Sequence, residues 1–125
     1  MNVPGFIARR FYVAGSLRNT ASGFSLEAHN PLGDGVLTGV RAVSVDGRPI
    51  DPATITAHAI DSEDGAAVRA SDVTPEQPIQ VTVGQRVTLH VEGEPLPPGD
   101  HKLAVELVER SIGSVRFSIS DRVRE

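Results

Sequence analysis

This chain of 125 residues contains no cysteine and no tryptophan, and Lys102 is its only lysine. The absence of cysteine excludes disulfides and thiolate metal sites, which fits a reducing compartment such as the cytosol. Hydrophobic residues make up 39% of the chain and aromatic residues 4%, so the core of a domain this size must be thin. Two expectations stay open: a small sandwich that is stable alone, or a chain that a permanent partner stabilises.

The chain is acidic and lacks long apolar runs. Its formal net charge is −4, and there is no basic stripe interleaved with aromatic residues, which argues against nucleic-acid binding. Residues 1–15 hold no apolar stretch of the length that a signal peptide or a membrane span needs, and Arg9-Arg10 interrupts what apolar character there is. We therefore expect a soluble cytoplasmic protein.

The most regular pattern lies in the last third of the chain. Apolar residues alternate with polar ones in three successive segments, at positions 87, 89 and 91, at 103, 105 and 107, and at 115, 117 and 119. A period of two places each apolar set on one face of a strand. One-sided strands of this kind are typical of antiparallel sandwiches.

The remaining strands are predicted from turn signals. Asp46-Gly47 between apolar runs indicates a tight hairpin after a strand over 36–45, and the segment 30–35 is dense in turn formers and must be a loop. Strands are also expected over 10–17, 24–28 and 55–60, with a turn at 62–65 and an irregular connection over 66–78 that holds at most a short strand. The fold class is therefore all-β, an antiparallel sandwich of immunoglobulin-like or jelly-roll-like type with seven to nine strands. We expect an N-terminal arm over 1–9, broken by Pro4-Gly5, and one sandwich domain over 10–125.

Motifs for catalysis are not found. The four histidines, His29, His58, His90 and His101, lack metal-ligand spacing and are expected at the surface or in turns; a composite site of His29 and His90 on neighbouring strands stays conceivable. No G-x-S-x-G elbow offers a hydrolase nucleophile, and Gly33-Asp34-Gly35 lacks the strand–loop–helix setting of a phosphate site. We assign no catalytic, cofactor-binding or metal-binding residue to this chain.

Several turn motifs, taken together, resemble a known family. They are Val45-Asp46-Gly47-Arg48-Pro49-Ile50, Gly84-Gln85-Arg86-Val87, Leu96-Pro97-Pro98-Gly99-Asp100-His101-Lys102-Leu103, Ser111-Ile112-Gly113 and Ser118-Ile119-Ser120-Asp121. The segment 11–121 is similar to the small β subunits of bacterial two-component C-glycoside deglycosidases.

That resemblance implies a non-catalytic subunit of a lyase in carbohydrate metabolism. The expected partner is a larger TIM-barrel α subunit that carries a divalent metal, manganese or magnesium, and cleaves the carbon–carbon bond of a 3-keto-C-glycoside near the interface. An apolar arm and a breaker-rich loop suggest where the partner binds. The predicted interface residues are Phe6, Ile7, Phe11, Pro31 and Leu32.

Two functions of other classes remain alternatives: a free-standing carbohydrate-binding module and a structural immunoglobulin-like module. Carbohydrate modules stack sugars on exposed tryptophan or tyrosine. This chain offers Tyr12 alone.

Overall fold

The computed structural model describes residues 2–31, 33–59 and 67–123, with Ala59 described by its backbone only. Two five-stranded antiparallel sheets contain ten strands in all. The strands are β1 (Arg18–Thr20), β2 (Gly23–His29), β3 (Gly35–Val45), β4 (Arg48–Pro49), β5 (Ile55–Ala59), β6 (Ala67–Arg69), β7 (Ile79–Val81), β8 (Arg86–Glu92), β9 (Gly99–Glu109) and β10 (Gly113–Val123). One helix, α1 (Gly5–Ala8), and two 3-10 turns at Pro52–Thr54 and Ala70–Asp72 complete the described elements.

The strand order defines two sheets with different members. The β2 sheet runs β1-β2-β8-β5-β6, and the β3 sheet runs β10-β9-β3-β4 with β7 on the free edge of β3. The predicted all-β sandwich is confirmed. Four of the ten strands have only two or three residues, and such short segments carry too few residues to show a clear alternation.

The alternating segments form the long strands as predicted. Val115, Phe117 and Ile119 of β10 lie opposite Leu107, Val105 and Leu103 of β9, and the odd-numbered positions of both strands face the interior. The hairpin prediction is also confirmed, because Asp46 and Gly47 have φ values of 53° and 83° and join β3 to β4. Both central positions of this turn type need positive φ, which Asp tolerates and Gly adopts freely.

Other local predictions were wrong. The segment 10–17 is not a strand; only Tyr12 bridges to β2, and the strand begins later, at Arg18. For residues 79–81, where the apolar pattern is too short, the sequence makes no prediction, and these residues form β7 on β3. Pro4 does not prevent regular structure but precedes one turn of helix, with its carbonyl accepting from the N–H of Ala8 at 2.9 Å, because proline suits helix starts. The turn predicted at 62–65 lies outside the described residues.

The hydrophobic core is concentrated at one end of the sandwich, which we call the closed end. Its loops are the turn at 46–47, the turn at 21–22 and the segment 93–98. All eight members of the buried cluster lie near those loops: Leu17, Phe24, Val45, Ile55, Val91, Leu96, Leu103 and Val123. Register explains this, since Phe24 pairs with Val91 and Val91 pairs with Ile55, so large apolar side chains from three strands meet at one level.

The opposite end, which we call the open end, carries the loop after β2, the turn at 82–85 and the turn at 110–112. Strand pairing fixes this placement: His29 pairs with Arg86, Gly35 pairs with Val81, and Glu109 pairs with Gly113. Of the inward-facing apolar residues near this end, Leu37, Val87 and Leu107 are only partly buried, whereas Val115 is 6% exposed. The two ends therefore differ in packing.

The N-terminal segment crosses from one sheet to the other. Asn2 forms a parallel bridge with Arg116 of β10, and Tyr12 forms an antiparallel bridge with Ala28 of β2. Between them, Ala8 is 1% exposed, so this segment closes one side of the sandwich. In the described part of the chain, no helix has the length and apolar character to cross a membrane.

Candidate functional site

The closed end holds the only buried ionisable side chain of the described residues, His101, which is 6% exposed. Its Nδ1 lies 2.6 Å from Oδ2 of Asp46, and its Nε2 lies 2.7 Å from the carbonyl oxygen of Pro97. The other oxygen of Asp46 accepts the backbone N–H of Lys102 at 2.9 Å. This arrangement, the His101 clip, joins the β3–β4 hairpin to the segment before β9. The expectation of a surface or turn histidine was wrong for His101, because two acceptors compensate its burial.

The surroundings of His101 fix its protonation state. A carboxylate and a carbonyl are both acceptors, so each ring nitrogen must donate and the ring is an imidazolium. The carbonyl of Pro97, followed by Asp46, raises the pKa of His101 above its usual range. The N–H of Lys102, followed by His101, lowers the pKa of Asp46. With no free lone pair, this ring binds loops together and is not available as a base or a metal ligand.

A second polar cluster anchors the N-terminal segment. The hydroxyl of Tyr12 donates a short hydrogen bond to Oδ2 of Asp121, and the N–H groups of Gly15 and Leu17 donate to the same oxygen. Burial, together with the bond to Asp121, raises the pKa of Tyr12. Burial alone would raise the pKa of Asp121, but the bonds from Tyr12 and from backbone N–H groups outweigh it and lower that pKa. The hydroxyl of Tyr12 is thus occupied by a structural bond to Asp121.

The loops of the open end are held by carboxylate and amide groups. Glu109 accepts the N–H groups of Val36, Ser111 and Ile112 at 2.6 to 3.1 Å, and the first of these contacts does most to lower the pKa of Glu109. Asp34 accepts the N–H of Val83 at 2.9 Å. These bonds give the turns one fixed conformation.

A shallow groove of about 310 Å3 lies on the outer face of the β3 sheet. Small residues form its floor, and Glu106 and Arg116 form one wall, with Arg116 Nε 3.0 Å from Glu106 Oε1. The hydroxyl of Ser114, then Arg116, lowers the pKa of Glu106. These ionised groups already pair with one another.

The structure does not bring His29 and His90 together. His29 pairs with Arg86, whereas His90 lies four residues further along β8 and pairs with Ser25, a separation of about 13 Å along the strand. His90 instead contacts the hydroxyls of Thr20 and Ser22 at 2.9 and 3.2 Å. Across residues 2–31, 33–59 and 67–123, no three histidine or carboxylate side chains are placed to hold a metal ion.

The predicted interface residues that the structure describes differ in exposure. Phe6 is 67% exposed, while Ile7 and Pro31 are partly buried. Phe11 is also partly buried and packs on Phe117, with ring centroids 5.1 Å apart, so it belongs to the sandwich's own packing. Leu32 lies outside the described residues. Their role in binding a partner stays a prediction.

Two further apolar side chains at the open end were missed. Val83 is 59% exposed and Ile112 is 58% exposed, each at a turn. The available signal was a branched apolar residue inside a turn, where Gly, Asn, Asp and Ser are the usual residues. Strand alternation alone does not reveal such residues.

Comparison of the sequence with models of known protein families identifies a match. The family model described as "Hydroxymethylglutaryl-CoA reductase, N-terminal domain" matches residues 7–124. The chain belongs to this family. A comparison with curated proteins gives no match.

This finding overturns the resemblance to C-glycoside deglycosidase β subunits, and with it the lyase activity on 3-keto-C-glycosides and the role in carbohydrate metabolism. The chain is related to a domain of an enzyme, which is the part of the enzyme prediction that holds. The barrel partner, the partner's manganese or magnesium and the cytoplasmic location stay predictions.

Proposed function

We propose that this chain is an accessory β-sandwich domain of a hydroxymethylglutaryl-CoA reductase, which binds the catalytic part of that enzyme and contributes no reacting group itself. The family match over residues 7–124 supports the link to a reductase. The observation that carries the accessory role is the His101 clip, in which the buried ionisable group of the described residues is bound at both ring nitrogens.

The other groups with shifted pKa values support the same role. Asp121 holds the N-terminal segment against β10, and Glu109 holds the turns of the open end. Catalytic groups with perturbed pKa values usually face a cleft that a substrate can enter. Here Asp121 and Glu109 accept backbone N–H groups, and Glu106, which lines the shallow groove, accepts bonds from Ser114 and Arg116, so these interactions fix the shape of a surface.

Reconstitution with the catalytic chain of a hydroxymethylglutaryl-CoA reductase from the same genome tests this proposal. Consumption of hydroxymethylglutaryl-CoA is followed with reduced nicotinamide cofactors for this chain alone, for the catalytic chain alone and for the mixture. We expect no turnover from this chain alone, and we expect the two chains to co-purify. Turnover by this chain alone, or separate elution of the two chains, contradicts the proposal.

A further inference from the structure

We propose that the groove on the outer face of the β3 sheet binds a helix of the catalytic partner, and that a carboxylate of this helix binds the two arginines beside the groove. This inference rests on the proposed function, since it names the surface through which the accessory domain binds the reductase chain. Its basis is the shape of the groove together with a pair of arginines that share one carboxylate.

The floor of the groove is formed by small side chains on three paired strands. Ser44 of β3 and Ser118 of β10 both pair with Ala104 of β9, and Ala42 lies two residues before Ser44 on the same face of β3. All four residues line the groove, whose volume is about 310 Å3. Because the distance between packed elements depends on the side chains at their contact, a floor of small residues allows the backbone of a partner to approach closely.

The outer face of the other sheet carries larger polar side chains. The outward-facing positions of its inner strands β2 and β8 are occupied by Ser25, Glu27, His29, Arg86, Thr88, His90 and Glu92. Polar side chains of this kind are what an antiparallel sheet usually presents to water, whereas alanine is depleted in strands. The small residues on the outer face of the β3 sheet therefore favour contact with another element over exposure to water.

Two arginines beside the groove share a single carboxylate. Glu106 accepts from Nε of Arg116 at 3.0 Å and from the hydroxyl of Ser114 at 2.6 Å, and its Oε2 lies 3.9 Å from Nη1 of Arg41. Both oxygens of Glu106 are therefore in use, while the side chains of Arg41 and Arg116 remain 65% and 63% exposed. The guanidinium groups keep free donors and one uncompensated positive charge, which a carboxylate of the partner can bind.

The rest of this outer face has the same sign of charge. The three strands of the groove, β3, β9 and β10, are described over their whole lengths, so every charged position on them is known. Their outward-facing charged residues are Arg41, Lys102, Arg116, Arg122, Asp100 and Glu106. Basic residues outnumber acidic ones on this face although the chain has a net charge of −4, so the face complements an acidic partner surface.

A helix fits this groove better than an extended segment or a small molecule does. The backbone groups of the floor are paired within the sheet, so an extended segment lying on it would leave its own N–H and C=O groups unpaired, whereas a helix pairs its own. Three neighbouring strands span about 10 Å, which matches the diameter of a helix. A shallow groove covers little of a small molecule, while small-molecule sites usually bury most of their ligand.

Two substitutions in the full chain, each with a matched control on the other sheet, test the inference. Ala42→Trp fills the groove, and Ala67→Trp places the same ring on the outer face of β6. Arg41→Glu reverses a charge beside the groove, and Arg69→Glu makes the same change on β6. All four residues are exposed, so thermal unfolding of the variants, measured in parallel, should stay close to that of wild type.

Binding of each variant to the reductase catalytic chain is measured by calorimetry at low and high salt. We expect Ala42→Trp to bind at least about tenfold more weakly, because the ring clashes with a helix that approaches the sheet. We expect Arg41→Glu to bind at least about fivefold more weakly and with a smaller salt dependence, and both controls to change the affinity less than about twofold. Should Ala42→Trp not fold, Arg41→Glu and its control still decide the question.

The outcomes separate the two proposals. If the wild-type chain does not bind the reductase chain, the proposed function fails and this inference falls with it. If wild type binds but the groove variants bind as tightly as their controls, the partner uses another surface and only this inference fails. An unchanged affinity of Arg41→Glu alone would overturn the carboxylate contact. Binding of free succinate to wild type, lost in Arg41→Glu and without binding to the reductase chain, would assign the groove to a small carboxylate instead.

Discussion

The two ends of this sandwich use similar residues for different purposes. At the closed end, apolar side chains are buried and polar groups such as His101 and Asn19 bind loop backbone, with the Asn19 amide donating to and accepting from Leu96 at 2.8 Å each. At the open end, polar groups also fix the loops, but the turn residues Val83 and Ile112 remain exposed. The comparison separates residues that stabilise the fold from residues that stay exposed to water.

Replacing the same residue type at the two ends gives the largest contrast. Phe24→Ala removes a side chain that is 3% exposed, and we expect the free energy of unfolding to fall by about 3–5 kcal/mol. Phe6→Ala removes a 67% exposed ring, and the expected change is within about 0.5 kcal/mol. Urea denaturation measures both. Equal losses would show that the arm is part of the main core.

Glycine substitutions make the second contrast. A Cβ at Gly23 would lie 1.9 Å from the carbonyl oxygen of Val91, whereas a Cβ at Gly39 meets nothing closer than 3.8 Å. We expect Gly23→Ala to cost about 1–3 kcal/mol through overpacking at the closed end, and Gly39→Ala to be neutral or slightly stabilising. Thermal unfolding followed by circular dichroism compares the two. A well-folded Gly23→Ala variant of unchanged stability would be evidence against this close approach.

The His101 clip predicts a pH dependence. Because the folded-state pKa of His101 is raised, its stabilisation is fully present below the ordinary value of about 6.5 and is lost as pH rises through the folded pKa. His101→Gln keeps one hydrogen bond and cannot titrate, so its stability should vary less over that range. Urea midpoints measured from pH 6 to pH 9 check this. Parallel curves for wild type and variant would show that the ring does not titrate there.

The smallest effect is expected for the turn residues of the open end. Val83→Thr and Ile112→Thr change exposed side chains, so each should leave the free energy of unfolding within about 0.5 kcal/mol of wild type. Retention on a hydrophobic-interaction column should nevertheless decrease. A loss above about 1 kcal/mol for either variant would assign that side chain to the packing of the fold.

Much of the fold could be predicted because its long strands alternate over six residues or more. The alternation in β8, β9 and β10, together with Asp46-Gly47, can be read from neighbouring residues alone. Pairing in the folded sheet is consistent with this local pattern and does not change it. The strands β1 and β7 could not be found in this way, since three residues become a strand only when a neighbour pairs with them. The burial of His101 depends on Asp46 and Pro97, which only the folded chain brings close.

The wrong family assignment also has a physical explanation. Two of its main motifs contain Asp46-Gly47 and Pro97 to His101, and the structure uses these residues to build the β3–β4 hairpin and the His101 clip. Such residues form the turns that connect strands of a sandwich. Unrelated sandwiches need similar turns, so these motifs do not identify a family. The residues of the groove carry no such motif, so the sequence alone could not connect them.

The N-terminal segment has one further consequence for handling the protein. It covers part of β10, an eleven-residue strand at the margin of its sheet, and it places Phe11 over Phe117. A protease that cuts after the exposed Arg9 or Arg10 would release the residues before the cut, including Asn2 and Val3, and expose the backbone of β10 at Arg116. Exposed strand margins promote self-association, so we expect clipped material to aggregate even though its ten strands are intact.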